Sequence, residues 1–263
     1  MKIGLMEKKV FIAGKELPDG NEFASGFASH KRRVAITSAY RKDAEDDEAP
    51  APVSGGITHF PWHRNSALST RAMTLGVFNE FVALDEVVII FDEQHVSLTF
   101  GQGTHNSESL KILEEAVASY QYLVEELTAR LLKVGEKARQ KKLTKIVFLH
   151  KTNHSQCDKI LDFHGTERNF SSPLVSAASA AFGAFAENTA ASLCENELFF
   201  PLLVSCPKDN DYMNRDGSLS GWMCDYLNAL DSLKNPLSAK DKLTWIKAGA
   251  KKPGGGFRLF GKD

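Results

Sequence analysis

The sequence predicts a three-layer α/β fold, in which a doubly wound parallel sheet of about six to seven strands lies between two layers of helices. Two observations carry this. Short apolar or β-branched runs alternate with helical patterns along nearly the whole chain, and strands joined by helices of that length need crossovers, which leave neighbouring strands parallel. The run "DEVVIIFDE" (Asp85–Glu93) is continuously apolar at its centre, as a strand covered on both faces must be. No internal repeat and no second domain interrupts the rhythm, so the 263 residues read as one domain, 1–263.

The elements follow in order. "KKVFIAG" (Lys8–Gly14) is a buried first strand, and "NEFASGFASH" (Asn21–His30) is a short helix ended by the basic turn Lys31–Arg33. Arg33–Ala39 is the second strand. The acidic stretch "RKDAEDDEAPAPVSGG" after it is an exposed link, because Pro and Gly break both periodicities. "ITHF" (Ile57–Phe60) supplies a short third strand. Ser66–Leu84 is a helix with Leu68, Ala72, Leu75, Phe78 and Phe81 on one face. After Asp85–Glu93 comes a Gly/Thr/Asn loop and then the longest helix, Leu110 to Lys133. It carries Leu113, Val117, Tyr120, Val124, Leu127 and Leu131 at core spacing. Thr144–His150 is the next strand, followed by a polar loop to Phe170. "SSPLVSAASAAFGAFAENTAASL" (Ser171–Leu193) is a helix of unusually small side chains. Phe199–Pro207 is a further strand, Ser218–Lys252 is mainly helical, and "GFRLFG" (Gly256–Gly261) is a last strand.

Composition narrows the function little. A formal charge of −1 gives no bulk electrostatic argument for nucleic acid or a membrane surface, and the basic run Lys137–Lys142 reads as the solvated end of a helix. Cys157, Cys194, Cys206 and Cys224 lack paired or metal-ligand spacing and read as reduced thiols. The first residues have no extended apolar core ahead of a cleavage site, so a cytoplasmic address is expected. His59 with His63, and His150 with His154, suggest metal pairs, and Asp92 or Asp158 could complete the second. A metal site needs three or four converging ligands, and loop histidines account for both pairs more plainly. Cys206 ends a strand, where a nucleophile could stand, and a buried thiol is the simpler reading.

The small-residue helix carries a family resemblance. "VSAASAAFGAFAENTAASL" resembles the active-site helix of the short-chain dehydrogenases/reductases, whose pattern runs Tyr-Ser-Ala-Ser-Lys-Ala-Ala-Leu. The resemblance implies a Rossmann-like sheet, and it implies that Ala177, Ala180, Ala181, Gly183 and Ala184 are close-contact positions. It also implies a homo-dimer or tetramer through the helices near 110–133 and 173–193. In that family the Tyr moves the substrate proton, and the Lys lowers its pKa and binds the nicotinamide ribose. Those two positions read Val175 and Ser179 here, and no Tyr lies between Tyr122 and Tyr212, so no shift of register restores the pair. The family's Asn position falls near Val117. Its Ser position falls near Lys151 or Thr152, with Ser155 a candidate only if the loop folds back.

For the cofactor, NAD or NADP, the resemblance points to Gly14, Lys15 and Gly20 in the turn after the first strand. Pro18 replaces the middle glycine, and Glu16 and Asp19 would repel phosphate. Tyr40 and Arg41 fall where the adenosine ribose is read, and basic residues there suit a 2′-phosphate, although a solvated charge pair is the commoner explanation. Asp92 stands in the cofactor-supporting loop, beside Glu93, and Pro207 remains of the Pro-Gly after the sixth strand. The expectation is a catalytically degenerate protein acting in ligand sensing or protein interaction. The alternative is a divergent NAD(P)-dependent oxidoreductase using His150, Lys151, His154 or Tyr212 as proton donor.

Overall fold

The computed structural model of the chain describes residues 7–39, 56–100, 114–137, 143–153, 173–233 and 243–253. The elements in order are β1 (Lys8–Leu17), α1 (Asn21–Ser29), β2 (Arg32–Ala39), β3 (Ile57–Trp62), α2 (Ala67–Phe81), β4 (Glu86–Asp92) and α3 (Glu93–Phe100). A π-helical turn (Glu114–Ala118) leads into α4 (Ser119–Lys137). Then come β5 (Thr144–Thr152), α5 (Pro173–Cys194), β6 (Phe199–Pro207), α6 (Asp216–Asp231) and β7 (Ile246–Lys247).

Among the described residues the strands form one seven-stranded sheet in the order β3-β2-β1-β4-β5-β6-β7, with every neighbouring pair parallel. The chain starts in the middle, winds to one edge, returns beside β1 and winds to the other. This reversal opens a crevice between the carboxyl ends of β1 and β4, the place where such sheets bind ligands.

Side-chain alternation builds two cores. Val10 and Ile12 of β1 face α1 and α6, whereas Phe11 and Ala13 face α2, α4 and α5. β4 is buried along its whole length, which explains its unbroken apolar run. At the amino ends of the strands, buried Arg32 holds Glu86 at 2.6 Å, and Lys145 pairs with Asp231. These two pairs tie β2 to β4 and β5 to α6. No helix among the described residues is long and apolar enough to cross a membrane.

Four expectations need correction. First, β1 does not stop at Gly14. Its pairing with β2 slips after Ile12, and Leu17 rejoins the sheet opposite Ser38. Second, α2 buries Thr70, Met73, Thr74, Val77 and Phe81, while Leu68 and Leu75 are 77% and 41% exposed. The rotation has a polar cause: the Trp62 indole donates to Thr70 Oγ1 at 2.9 Å, and Thr74 Oγ1 donates to the Thr70 carbonyl at 2.7 Å. Two threonines can therefore be buried with their hydroxyls satisfied.

Third, the helix predicted for Ser218–Lys252 ends at Asp231, and Ile246 instead joins the sheet opposite Val204. Fourth, the long helix opens with a π-helical turn in place of regular α-helix. Residues 110–113, the proposed strand Gly256–Gly261, Tyr40, Arg41, Cys157, His154, Asp158 and Ser155 lie outside the described residues.

Candidate functional site

The crevice is built from the carboxyl ends of β1, β4 and β5 and from the amino-terminal ends of α1, α3 and α6. Because β1 continues past Gly14, the Lys15 and Glu16 side chains extend across it. Lys15 Nζ lies 2.7 Å from Asp92 Oδ2 at the end of β4 and 2.5 Å from Asp216 Oδ2 at the start of α6. Lys151 Nζ, on β5, completes a ring, at 2.8 Å from Asp92 Oδ2 and 2.7 Å from Asp216 Oδ1. The four side chains are 2% to 12% exposed.

A second network abuts this ring. Arg64, in the loop between β3 and α2, reaches the crevice and donates Nε and Nη2 to the two Glu16 carboxylate oxygens at 3.0 and 2.9 Å. Nη2 also donates to the Gly14 carbonyl at 2.8 Å. Nη1 reaches the Glu115 carbonyl and the Tyr120 hydroxyl, both at 3.3 Å. Glu115 lies in the π-helical turn, so the guanidinium meets one of that turn's carbonyls. Tyr120 in turn donates to the Ile90 carbonyl at 2.6 Å. On the other side of Glu16, His95 places one ring nitrogen 3.3 Å from Glu16 and the other 2.9 Å from Asp19.

The electrostatics follow from burial and pairing. Burial alone would raise the Glu16 carboxyl, but Arg64 and His95 hold it at about 2. Asp92 is likewise taken to about 2 against its burial by Lys151 and Lys15. Burial works against the Lys15 ammonium, yet Asp92 and Asp216 keep it above its ordinary range. Burial opposes the Arg64 charge too, and Glu16 more than offsets that. All these groups are therefore charged at neutral pH, and each cation is paired.

Val175 and Ser179, which the sequence resemblance sets against the family's Tyr and Lys, lie in α5, on the other side of the sheet end. Val175 is fully buried in the core that includes Phe182. Ser179 Oγ lies 2.8 Å from His150 Nε2, and the imidazole is boxed by Phe91, Phe182 and Trp245, with ring centroids 5.4 to 5.8 Å away. Burial lowers the His150 pKa to about 4, so the ring is neutral at physiological pH. Trp245 is fixed by a 2.6 Å bond from its indole N–H to Glu187.

Gly14 adopts φ +102°, and a Cβ there would strike the Ile90 carbonyl oxygen. Gly20 lies against the Lys15 carbonyl. Pro207 ends β6 opposite Thr152, and its carbonyl accepts from the Asn210 N–H at 2.8 Å. Tyr212 packs on Trp222, in the core on the α1/α6 face, away from His150. The Cys206 thiol is pushed up to about 11 by burial, so it is a poor nucleophile. His59 lies 3.4 Å from the Ser38 hydroxyl. No three His, Cys, Asp or Glu residues among the described ones are grouped to hold a metal ion. Thus Gly14, Lys15, Gly20, Asp92 and Lys151 do converge, and Pro207 and Tyr212 stand apart from the ring. Arg64, His95, Asp216 and the buried Tyr120 hydroxyl were not singled out by sequence reasoning. Four chain-distant elements supply them, and only the acidic sign of Glu16, Asp19 and Asp92 hinted at paired cations.

No protein-family model matches the chain. A protein of Treponema pallidum (strain Nichols), itself uncharacterized, is 24% identical over 241 residues, 91% of this chain and 92% of that relative. Solved structures give the fold. A C-terminal deletion mutant of Thermoplasma acidophilum aldohexose dehydrogenase superposes with a TM-score of 0.55 at 11% identity, covering 92% of this chain and 95% of that one. A short-chain dehydrogenase/reductase from Serratia marcescens gives 0.53 at 12%, covering 92% and 97%. The Pseudomonas aeruginosa RhlG/NADP active-site complex gives 0.53 at 14%, covering 91% and 87%. With its parallel sheet and strand-end crevice, the chain has the fold of the short-chain dehydrogenase/reductase superfamily.

Proposed function

We propose that the chain is a catalytically degenerate protein of this fold, acting in ligand sensing or protein interaction rather than in carbonyl–alcohol interconversion. One observation carries the reading. At the positions matching the family's Tyr and Lys, Val175 is sealed in the core and Ser179 is tied to a neutral His150 inside an aromatic box. A hydrocarbon has no proton to move, and Ser179 has no charge with which to depress a neighbour's pKa. Purified protein mixed with NADH or NADPH and a panel of aldehydes and ketones is expected to oxidise neither cofactor above the blank. Turnover at an ordinary enzymatic rate, about 1 s⁻¹ or faster, would sink the reading.

One feature favours a second reading, a divergent NAD(P)-dependent oxidoreductase. His150 and Lys151 both stand at the carboxyl end of β5, where substrates meet cofactors in such folds. NAD or NADP would then lie along Gly14, Lys15, Gly20, Asp92 and Pro207, with Tyr40 and Arg41 at the adenosine ribose; the similar Pseudomonas structure is a complex with NADP. Against it, His150 has already lost its readily released proton at neutral pH, and Lys151 is bound by two carboxylates.

We further infer a single domain in the cytoplasm that pairs with itself, as a dimer or tetramer, through the helices near 110–133 and 173–193. Ala177, Ala180 and Ala184 support this: they fall on one outward stripe of α5 and are exposed. Small side chains at that spacing allow close helix–helix approach. Light scattering after size exclusion is expected to give at least twice the chain mass, and Ala180→Arg should reduce it to one. A monomeric parent protein ends the proposal.

A further inference from the structure

We propose that the chain's own side chains permanently fill the strand-end crevice, so that the protein binds neither NAD(H) nor NADP(H). This goes beyond the loss of acid–base groups, since a chain without them could still hold a dinucleotide.

The first support is what the glycines face. In dinucleotide-binding sheets, glycines after β1 let the pyrophosphate approach the backbone, and the amides of the first helix turn hold it. Here Gly14 abuts the Ile90 carbonyl and the Tyr120 hydroxyl, and Gly20 abuts the Lys15 carbonyl. Both glycines make room for protein. The Gly20 N–H donates to the Glu16 carbonyl, and the Asn21 N–H donates to that of Pro18, each at 3.0 Å. Two amides at the start of α1 are thereby used within the turn.

The second support is occupancy. With β1 extended to Leu17, Lys15 and Glu16 cross the space between β1 and β4, and Arg64 fills what lies beside them. Its five N–H groups are spent on Glu16, Gly14, Glu115 and Tyr120. Among the described residues, a cavity bordered by Lys15, Asp19, Glu22 and Asp216 measures about 320 Å³. That is the lower end for a drug-sized ligand, and a dinucleotide is larger.

The third support is charge. A pyrophosphate would meet ionised Glu16 and Asp92 in the crevice, with Asp19 and Glu22 at the start of α1. Lys15, Lys151 and Arg64 could welcome it only by abandoning buried carboxylates, and uncompensated buried charge is costly.

Calorimetric titration of the wild-type chain with NAD⁺, NADH, NADP⁺ and NADPH tests this directly. No saturable heat is expected up to about 1 mM, and saturable one-to-one binding of any of the four overturns the inference. A second measurement needs no ligand. In brief labelling of the native protein with an amine-reactive reagent, read by mass spectrometry, Lys15 and Lys151 should react at least about tenfold slower than exposed Lys31. The Lys15 and Lys151 side chains are only 12% and 4% exposed, and both ammonium groups are held by Asp92 and Asp216, out of reach of the reagent. Labelling at the Lys31 rate would mean an open crevice and would equally overturn the inference. Binding without carbonyl turnover defeats this inference alone and leaves the degenerate reading standing. Turnover with a dinucleotide defeats both.

Discussion

Arg64→Ala lowers the unfolding free energy by about 3–5 kcal/mol, the range for removing one partner of a buried ion pair. The variant strands Glu16, whose side chain is 10% exposed, without its guanidinium partner. It also takes a donor from the Gly14 and Glu115 carbonyls and from the Tyr120 hydroxyl. Glu16, Arg64 and Tyr120 are buried, so water cannot readily replace the guanidinium. The double variant Glu16→Gln/Arg64→Met should cost clearly less than Arg64→Ala, because no charge is left buried. Urea unfolding of the parent, Glu16→Gln, Arg64→Met and the double variant closes the cycle, with Arg64→Ala measured beside it. A loss below about 1 kcal/mol for Arg64→Ala would place the pair among weak surface bridges and would undercut the view of Arg64 as a fixed occupant of the crevice.

That expectation could not have been read from the sequence, and the reason is physical. The order of strands and helices was legible because covering a sheet on both faces demands unbroken apolar runs, and β4 and β6 have them. Val175 and Ser179 could be placed from the sequence because they sit in an identifiable helix. Arg64 was not. It belongs to a loop, where no periodicity reports how far a side chain reaches, and its partner is 48 residues away. The ring of Lys15, Asp92, Lys151 and Asp216 joins four segments, each of which shows an ordinary charge near a strand end or at a helix start. The negative sign of Glu16, Asp19 and Asp92 was visible, and it raised the expectation that phosphate would be repelled. The cations that make those acids tolerable were not visible. α2 failed for a related reason: its apolar residues go nearly all round, so two hydrogen-bonded threonines decided which face turned inward.

Acidification should unfold the protein in two overlapping stages, and both have the same sign. His150 titrates near 6.5 in the unfolded chain and near 4 in the fold, because burial penalises the imidazolium. Between those values the unfolded chain binds a proton that the folded chain refuses. Stability therefore falls as pH drops from about 6.5, and this contribution, about 3 kcal/mol, is exhausted below about 4. Glu16 and Asp92 act lower down. Their ordinary values are 4.5 and 3.8, and both lie near 2 in the fold. Their contributions are fully present above about 4.5 and are lost as pH falls toward 2, each on the order of 2–3 kcal/mol. The upper stage can be isolated with His150→Gln, since a glutamine amide can still reach Ser179 and has no proton to gain. Urea unfolding at steps from about pH 7.5 to 3 should then show a flat profile down to about 4.5, with the carboxylate loss below it unchanged. If His150→Gln keeps the full slope between 6.5 and 4.5, the aromatic box is not what makes the fold acid-sensitive, and the loss must come from carboxylates that titrate higher than their pairing implies.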